Sequence, residues 1–307
     1  MKFLKINPLY TQTIWGNNNI AKMRDLSEEN IGAAWEISAH KDIDCDVDDK
    51  KLSEVFASNS NELLGEGLSL KDTIRVGILD AKDYLSIQVH PDDEYGLEND
   101  NDLGKNECWY ILKADDDSTL VAGTHLNTKE ELKEAIENDT LEDNLRYLPV
   151  KAGDFIALKN GTLHALGGNI MVLELSNNSN TTYRFYDFHR KDSNGNEREL
   201  HLDKSMDVVD MNASPEIIYT PFDNIPKEKE LINFDEFKVV LVDTDDEYII
   251  NPNGRFCTIS NVDKNVKLMI DDEEIELDYL NSVFIPANTN KVTILGNTRL
   301  IIGYPNK

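Results

Sequence analysis

A chain of 307 residues, 40% hydrophobic and 29% charged, is long enough to bury one large core or two smaller ones and has the balance of a soluble globular protein. Its formal net charge of −27 excludes a general affinity for nucleic acid or anionic membrane, both of which need a basic field, and it repels anionic small molecules at long range unless local cations oppose it. No run of roughly 18 apolar residues occurs and "MKFLKINPLYTQTIW" lacks a signal-peptide core, while Cys45, Cys108 and Cys257 are too scattered for a disulfide framework or a CxxC metal site; the expectation is a cytoplasmic protein.

Along the chain, short β segments alternate with Gly, Asn and Asp: "AAWEIS", "YLSIQVH", "CWYILK", "DFIAL", "IMVLEL", then "FKVVLV", "RFCTIS", "VKLMI", "SVFIPA" and "RLIIGY". Many short strands joined by turn residues predict an antiparallel sandwich or jelly roll. Within "YLSIQVH", Gln88 and His90 stand two apart and so share one strand face, where Val or Ile would pack better; they converge on whatever that face looks at. A polar acidic loop follows, and the next strand opens at Glu107 with Lys105 two residues before it.

One segment breaks the β pattern. In "NTKEELKEAIENDTLEDNLRYL" (127–148), Leu132, Ala135 and Ile136 recur at helical spacing behind a Thr128 suited to an N-cap, with Glu131 three residues on, which predicts a short helical insertion. The acidic runs "HKDIDCDVDDK", "ADDDS" and "DDEEIELD" read as solvated turns, none with EF-hand spacing. "TPFDNIPKEKE" (220–230) reads as a linker, dividing a unit at 1–225 from a smaller C-terminal β unit at 231–307. An internal repeat lays 153–175 against 281–303 and sets His164 opposite Val292, so two related β units are expected and only the first carries chemistry.

The stretch around His164 resembles the second cupin motif, with Gly153, Gly161 and His164 at that motif's spacings and Lys159 where it has Pro. The first cupin motif offers His-x-His and a nearby Glu; here Gln88-Val89-His90 is followed by Glu107 after a longer gap. Those departures are similar to the short bacterial type I phosphomannose isomerases, and "TIWGNNNI" (13–20), "WEISAH" (35–40), "GTLHALG" (161–167) and "TTYRFYDFHR" (181–190) follow in that family's order.

The resemblance implies a mainly β, cupin-type jelly roll with a smaller C-terminal jelly-roll-like domain. It implies one Zn²⁺ per chain held by Gln88, His90, Glu107 and His164, an oxygen and nitrogen set whose single anionic ligand leaves the ion Lewis-acidic. The implied reaction interconverts mannose 6-phosphate and fructose 6-phosphate through a cis-enediol, with a sugar phosphate as the partner. Arg184 matches the family's active-site arginine, and Lys105 its lysine ahead of the ligand Glu, as acid/base group or phosphate partner. Glu174, inside apolar "IMVLEL", is a candidate for proton transfer, since a buried carboxylate needs a reason. Trp15 and His40 lie in matched blocks as pocket residues, and Trp35 as pocket wall or core. His125, His189 and His201 read as ordinary histidines.

Some positions depart from the family: Asn17 follows Gly16 where Gly-Gly is usual, Ala34 stands in place of Glu, and Asn180 in place of Asp. These leave open a non-catalytic, metal-containing sugar-phosphate-binding paralogue. A cupin of other chemistry, such as an Fe(II) oxygenase, would have a ligand set richer in His.

Overall fold

The computed structural model describes residues 4–191, 194–222, 227–270 and 273–306. Its organising element is a seven-stranded antiparallel sheet in the order Ile217–Tyr219, Asp154–Leu158, Glu107–Ala114, Ile170–Asn177, Ile74–Ala81, Leu9–Asn17 and Ile31–Ile37. Strands such as Ile74–Ala81 are buried along their whole length, so apolar side chains stand on both faces, with Arg75 and Asp80 as buried exceptions. Alternation still sorts their side chains. Leu79 and Ala81 join Trp109, Ile111, Val172 and Leu120 in one core, while Ile74, Val76 and Ile78 join Tyr110, Leu173 and Leu175 in another.

The first of these cores lies between the large sheet and a five-stranded sheet ordered Leu145–Pro149, Thr119–Thr124, His164–Ala165, Ile87–Val89 and Tyr183–Tyr186. The outer face of that smaller sheet is covered by the helices Lys129–Glu137 and Leu202–Val208 through Ile87, Val89, Leu132, Ala135 and Val209. The second core joins the back of the large sheet to the C-terminal part of the chain, where Phe237, Val239, Leu241, Phe284 and Ile301 pack against it. Beyond lies a second sandwich. Its five-stranded sheet (Lys227–Asn233, Phe237–Thr244, Thr298–Pro305, Cys257–Asn261, Ser282–Ile285) faces a four-stranded one (Glu247–Ile250, Val292–Leu295, Val266–Ile270, Glu273–Leu277) across a wholly apolar core.

The repeat is visible strand for strand. Asp154–Leu158, His164–Ala165 and Ile170–Asn177 correspond to Ser282–Ile285, Val292–Leu295 and Thr298–Pro305, and in both units the middle strand belongs to the opposite sheet. Val292 takes the place of His164 and is fully buried in the apolar core of the second sandwich.

The expected helix forms at Lys129–Glu137, with Thr128 accepting from the Glu131 N–H and Glu131 reaching back to the Thr128 N–H. It is shorter than the 127–148 insertion, because Leu145–Pro149 turns into an edge strand paired with Thr119–Thr124. The acidic loop after His90 is also corrected. Asp93–Asp100 is helical, capped by Asp92 and carrying Asp93 and Glu94 in its first turn, where carboxylates favour the helix dipole; no apolar period announces it. Two of the acidic "turns" contain strands: Ile43–Asp44, Asp46–Val47 and Lys50–Lys51 in the first, Glu273–Leu277 in the last, of which 271–272 lie outside the described residues. The linker at 220–230 lies partly outside them too, at 223–226. All three cysteines are free and buried.

Two features lock the back of the large sheet to the second sandwich. Gly303 permits close approach, since a Cβ there would stand 3.0 Å from Leu175 Cδ2 and 2.8 Å from Thr258 Oγ1. Arg299, 1% exposed, donates to Asp243 from Nε and Nη2 at 2.5 and 2.6 Å, and its Nη1 donates to the Thr220 carbonyl at 2.6 Å and the Tyr110 hydroxyl at 3.3 Å. Arg299→Leu leaves the Asp243 carboxylate to Lys227, 3.3 Å away, and should lower stability by about 3 kcal/mol, the low end for breaking a buried pair. Urea unfolding measures this, and a loss under 1 kcal/mol, on the order of a surface pair, would contradict the locking role.

Candidate active site and metal centre

Antiparallel register lays two rows of side chains opposite each other in the space between the two N-terminal sheets. On the five-stranded sheet the row runs Ala122, His164, Gln88, Arg184. On the seven-stranded sheet it runs Leu158, Glu107, Ser176, Arg75, and the next row is Trp109, Glu174, Gly77, Trp35. Directly opposed residues share a face, so each row is a line of neighbours. His90 follows the strand Ile87–Val89 at once and joins this face.

The result is a cluster of His90, Glu107 and His164 whose ligand atoms lie within 4.8 Å of one another, all three residues buried. His164 Nε2 is 3.1 Å from Glu107 Oε1 and His90 Nε2 is 3.5 Å from Oε2. The Nδ1 atoms donate to the carbonyls of Thr181 and Thr162, each at 2.8 Å, which leaves both Nε2 lone pairs aimed at the carboxylate. His90 Nε2 and Glu107 Oε1 have no hydrogen-bond partner among the described residues, and Glu107 Oε2 meets the Lys105 ammonium. Converging lone pairs with no proton between them fit a divalent cation with nitrogen and oxygen ligands. Gln88 adds an amide 3.3 Å from His164 Nε2, and turning that amide over would bring its oxygen to the same side.

Lys105 and Glu174 border the cluster. The Lys105 ammonium lies 2.6 Å from Glu107 Oε2 and 3.1 Å from Glu174 Oε1, and Trp109 Nε1 donates to Glu174 Oε2 at 3.2 Å. Burial alone would lower the Lys105 ammonium, but the carboxylates of Glu107 and Glu174 outweigh it and hold the group above the ordinary lysine range. Burial alone would raise Glu107; the Lys105 ammonium and the imidazoles reverse that and keep its carboxyl well below the usual range. Burial pushes His90 down to about 4, against the opposing pull of Glu107.

Arg184 stands beside Gln88 in register, half-buried, with Nη1 donating to the Glu199 carbonyl at 2.7 Å and a buried Nε without a partner among the described residues. Its backbone N–H donates to His201 Nδ1 at 3.0 Å, so His201 helps to position that strand. Trp15 belongs to the core between the sheets, in the same cluster as Trp109. His40 is not brought to the cluster. It lies buried 3.1 Å from Asp102 and lines an outer cleft of about 540 Å³ with Asp102, Asn177 and Glu236. The sequence reading missed Arg75, although a cation inside the largely apolar "IRVGILDA" was a visible signal.

The sign of the pH dependence follows from His90 and Glu107. Between the ordinary imidazole value of 6.5 and about 4, the unfolded chain holds a proton on His90 that the folded protein rejects, so metal-free stability falls as pH falls through that window. Glu107 adds in the same direction at lower pH, since its stabilisation is lost as pH falls through its depressed folded value. The urea midpoint of chelator-treated protein should decline from pH 7 to pH 4.5, and His90→Gln should flatten the upper part of that decline. An unchanged slope in the variant would show that His90 is not the group responsible.

The chain is similar to several known proteins. The sequence profile for "Phosphomannose isomerase type I, catalytic domain" matches residues 3–108. A mannose-6-phosphate isomerase of Streptococcus mutans is 41% identical over 68% of this chain and 71% of its own length. A probable mannose-6-phosphate isomerase of Bacillus subtilis, GmuF, is 32% identical over 98% of this chain and 99% of its own. The crystal structure of the mannose 6-phosphate isomerase from Bacillus subtilis superposes with a TM-score of 0.90 at 30% identity, covering 99% of both chains.

Proposed function

Because the chain belongs to the type I phosphomannose isomerase family, we propose that it is a zinc-dependent isomerase interconverting mannose 6-phosphate and fructose 6-phosphate through a cis-enediol. The observation that carries the zinc reading is the convergence of two Nε2 lone pairs and an unprotonated carboxylate in a buried space between the sheets. His90, Glu107 and His164 would hold the ion, with Gln88 as a weaker fourth ligand. Bound there, Zn²⁺ would supply Lewis acidity to the reacting end of the sugar.

The chain's own groups account for the proton movements. The Glu174 carboxylate, fixed by Lys105 and Trp109, takes the proton from C2 of the open-chain aldose and returns it to C1. The Lys105 ammonium, kept protonated by its two carboxylates, donates to O1 as the enediol forms and recovers a proton from O2 as the ketone forms. Arg184 stabilises negative charge developing on the substrate oxygens from its place beside Gln88. Residues 1–225 form the catalytic unit of this proposal and 231–307 its support.

Turnover of mannose 6-phosphate by protein of known zinc content should be abolished by chelator and restored by Zn²⁺. His90→Ala should lose both bound metal and turnover. Arg184→Ala should keep the metal and lose turnover by roughly 10²-fold, and wild-type turnover in that variant would remove Arg184 from the mechanism. Fully metallated protein without turnover would instead identify a sugar-phosphate-binding paralogue.

A further inference from the structure

Among the described residues two arginines are buried almost completely, Arg299 and Arg75, each 1% exposed, and they differ in one respect. Arg299 has a carboxylate across its Nε and Nη2 donors. Arg75 has none. Its Nη1 is held by the Ser179 carbonyl and, at 3.4 Å, by the Asn180 side-chain oxygen, and its guanidinium lies 4.3 Å from the Trp35 ring centre. Nε and Nη2, the two parallel donors along the side of the guanidinium, have no acceptor among the described residues. Leaving charged donors buried and unpaired is costly, so an anchored fork with an empty edge calls for a partner from outside the chain.

The position of that edge is specific. Arg75 stands in the same cross-strand row as Glu107, with Ser176 between them, and the Ser176 hydroxyl is likewise without a partner among the described residues. At about 4.8 Å per strand, the Cα atoms of Arg75 and Glu107 are about 10 Å apart, which an open-chain six-carbon sugar phosphate with one end at Glu107 can span. On the same face, the position after next is Gly77, which adds no side chain; a Cβ there would meet the Trp35 ring at 3.1 Å.

We propose that Arg75 is a substrate-binding residue whose Nε–Nη2 edge takes a pair of oxygens from the sugar phosphate, either two oxygens of the phosphoryl group or two neighbouring hydroxyls. This rests on the isomerase reading above. Arg75→Lys keeps the charge and removes the fork. The test is calorimetric binding of sorbitol 6-phosphate, an open-chain analogue with no carbonyl to isomerise, and of sorbitol, to zinc-loaded wild type and variant. The variant should keep its zinc and bind sorbitol 6-phosphate about tenfold more weakly or worse, the loss of one charge-assisted hydrogen bond, with KM for mannose 6-phosphate raised in step. A loss confined to the phosphate ester places the fork on the phosphoryl group; an equal loss for sorbitol places it on hydroxyls.

Unchanged affinity in the variant, or no binding of sorbitol 6-phosphate by wild type, overturns the proposal. Should the variant fail to fold, a crystal structure of wild type with sorbitol 6-phosphate decides, since ligand oxygens on Nε and Nη2 support the assignment and water alone there refutes it. Absent turnover in zinc-loaded wild type defeats the isomerase reading, whereas normal wild-type turnover with an unaltered variant defeats only the role of Arg75.

Discussion

Glu107 carries a negative charge into the space between two β sheets, with none of its surface exposed, and much of the architecture serves to make that tolerable. A carboxylate there would otherwise take up a proton. The Lys105 ammonium prevents this, and Lys105 is in turn kept charged by Glu174, whose second oxygen is occupied by Trp109. Two imidazoles complete the ring of contacts with their lone pairs, since backbone carbonyls have claimed their N–H groups. Removing one member leaves the others with uncompensated charge, so these residues act as a set.

The two sandwiches show what the same strand pattern does with and without such a set. In the first, His164 opens the middle strand and faces Gln88 across the pair. In the second, Val292 opens it and faces Ile250 and Ile270, and the interior closes up as aliphatic packing. The polar interior of the first is therefore a local departure from a scaffold that packs well without it. On the other side of the large sheet the packing is again dense, with Phe237, Phe284, Ile301 and the Arg299 network gathered there.

How much of this could be read from the chain depended on the range of the signal. Gln88 and His90 were legible because a strand alternates over two residues, Glu107 and Lys105 because they open an apolar run, and the Lys129–Glu137 helix because its capping box is local. The repeat was legible because both copies keep the same spacing. Helix Asp93–Asp100 was not, since its stability comes from Asp92 and the dipole rather than from an apolar stripe. Arg75 shows in the chain only as a cation in a largely apolar stretch; that it stands opposite Ser176 and, through it, in the row of Glu107 is a register between strands far apart in sequence. The pairing of His40 with Asp102 outside the cluster is equally invisible without the fold.

The seven-stranded sheet has a core on each of its faces, and the strand Glu107–Ala114 contributes Glu107 and Trp109 to one side and Cys108 and Tyr110 to the other. It is thus a partition wall between a compartment that holds buried charge and one packed with apolar side chains. Close-packed interiors scarcely compress, so a change of volume on the apolar side, at Leu175 or Phe284, is passed to the wall. A ligand bond lasts only over a few tenths of an ångström. Side chains that never approach the metal centre therefore set the tolerance to which it is built.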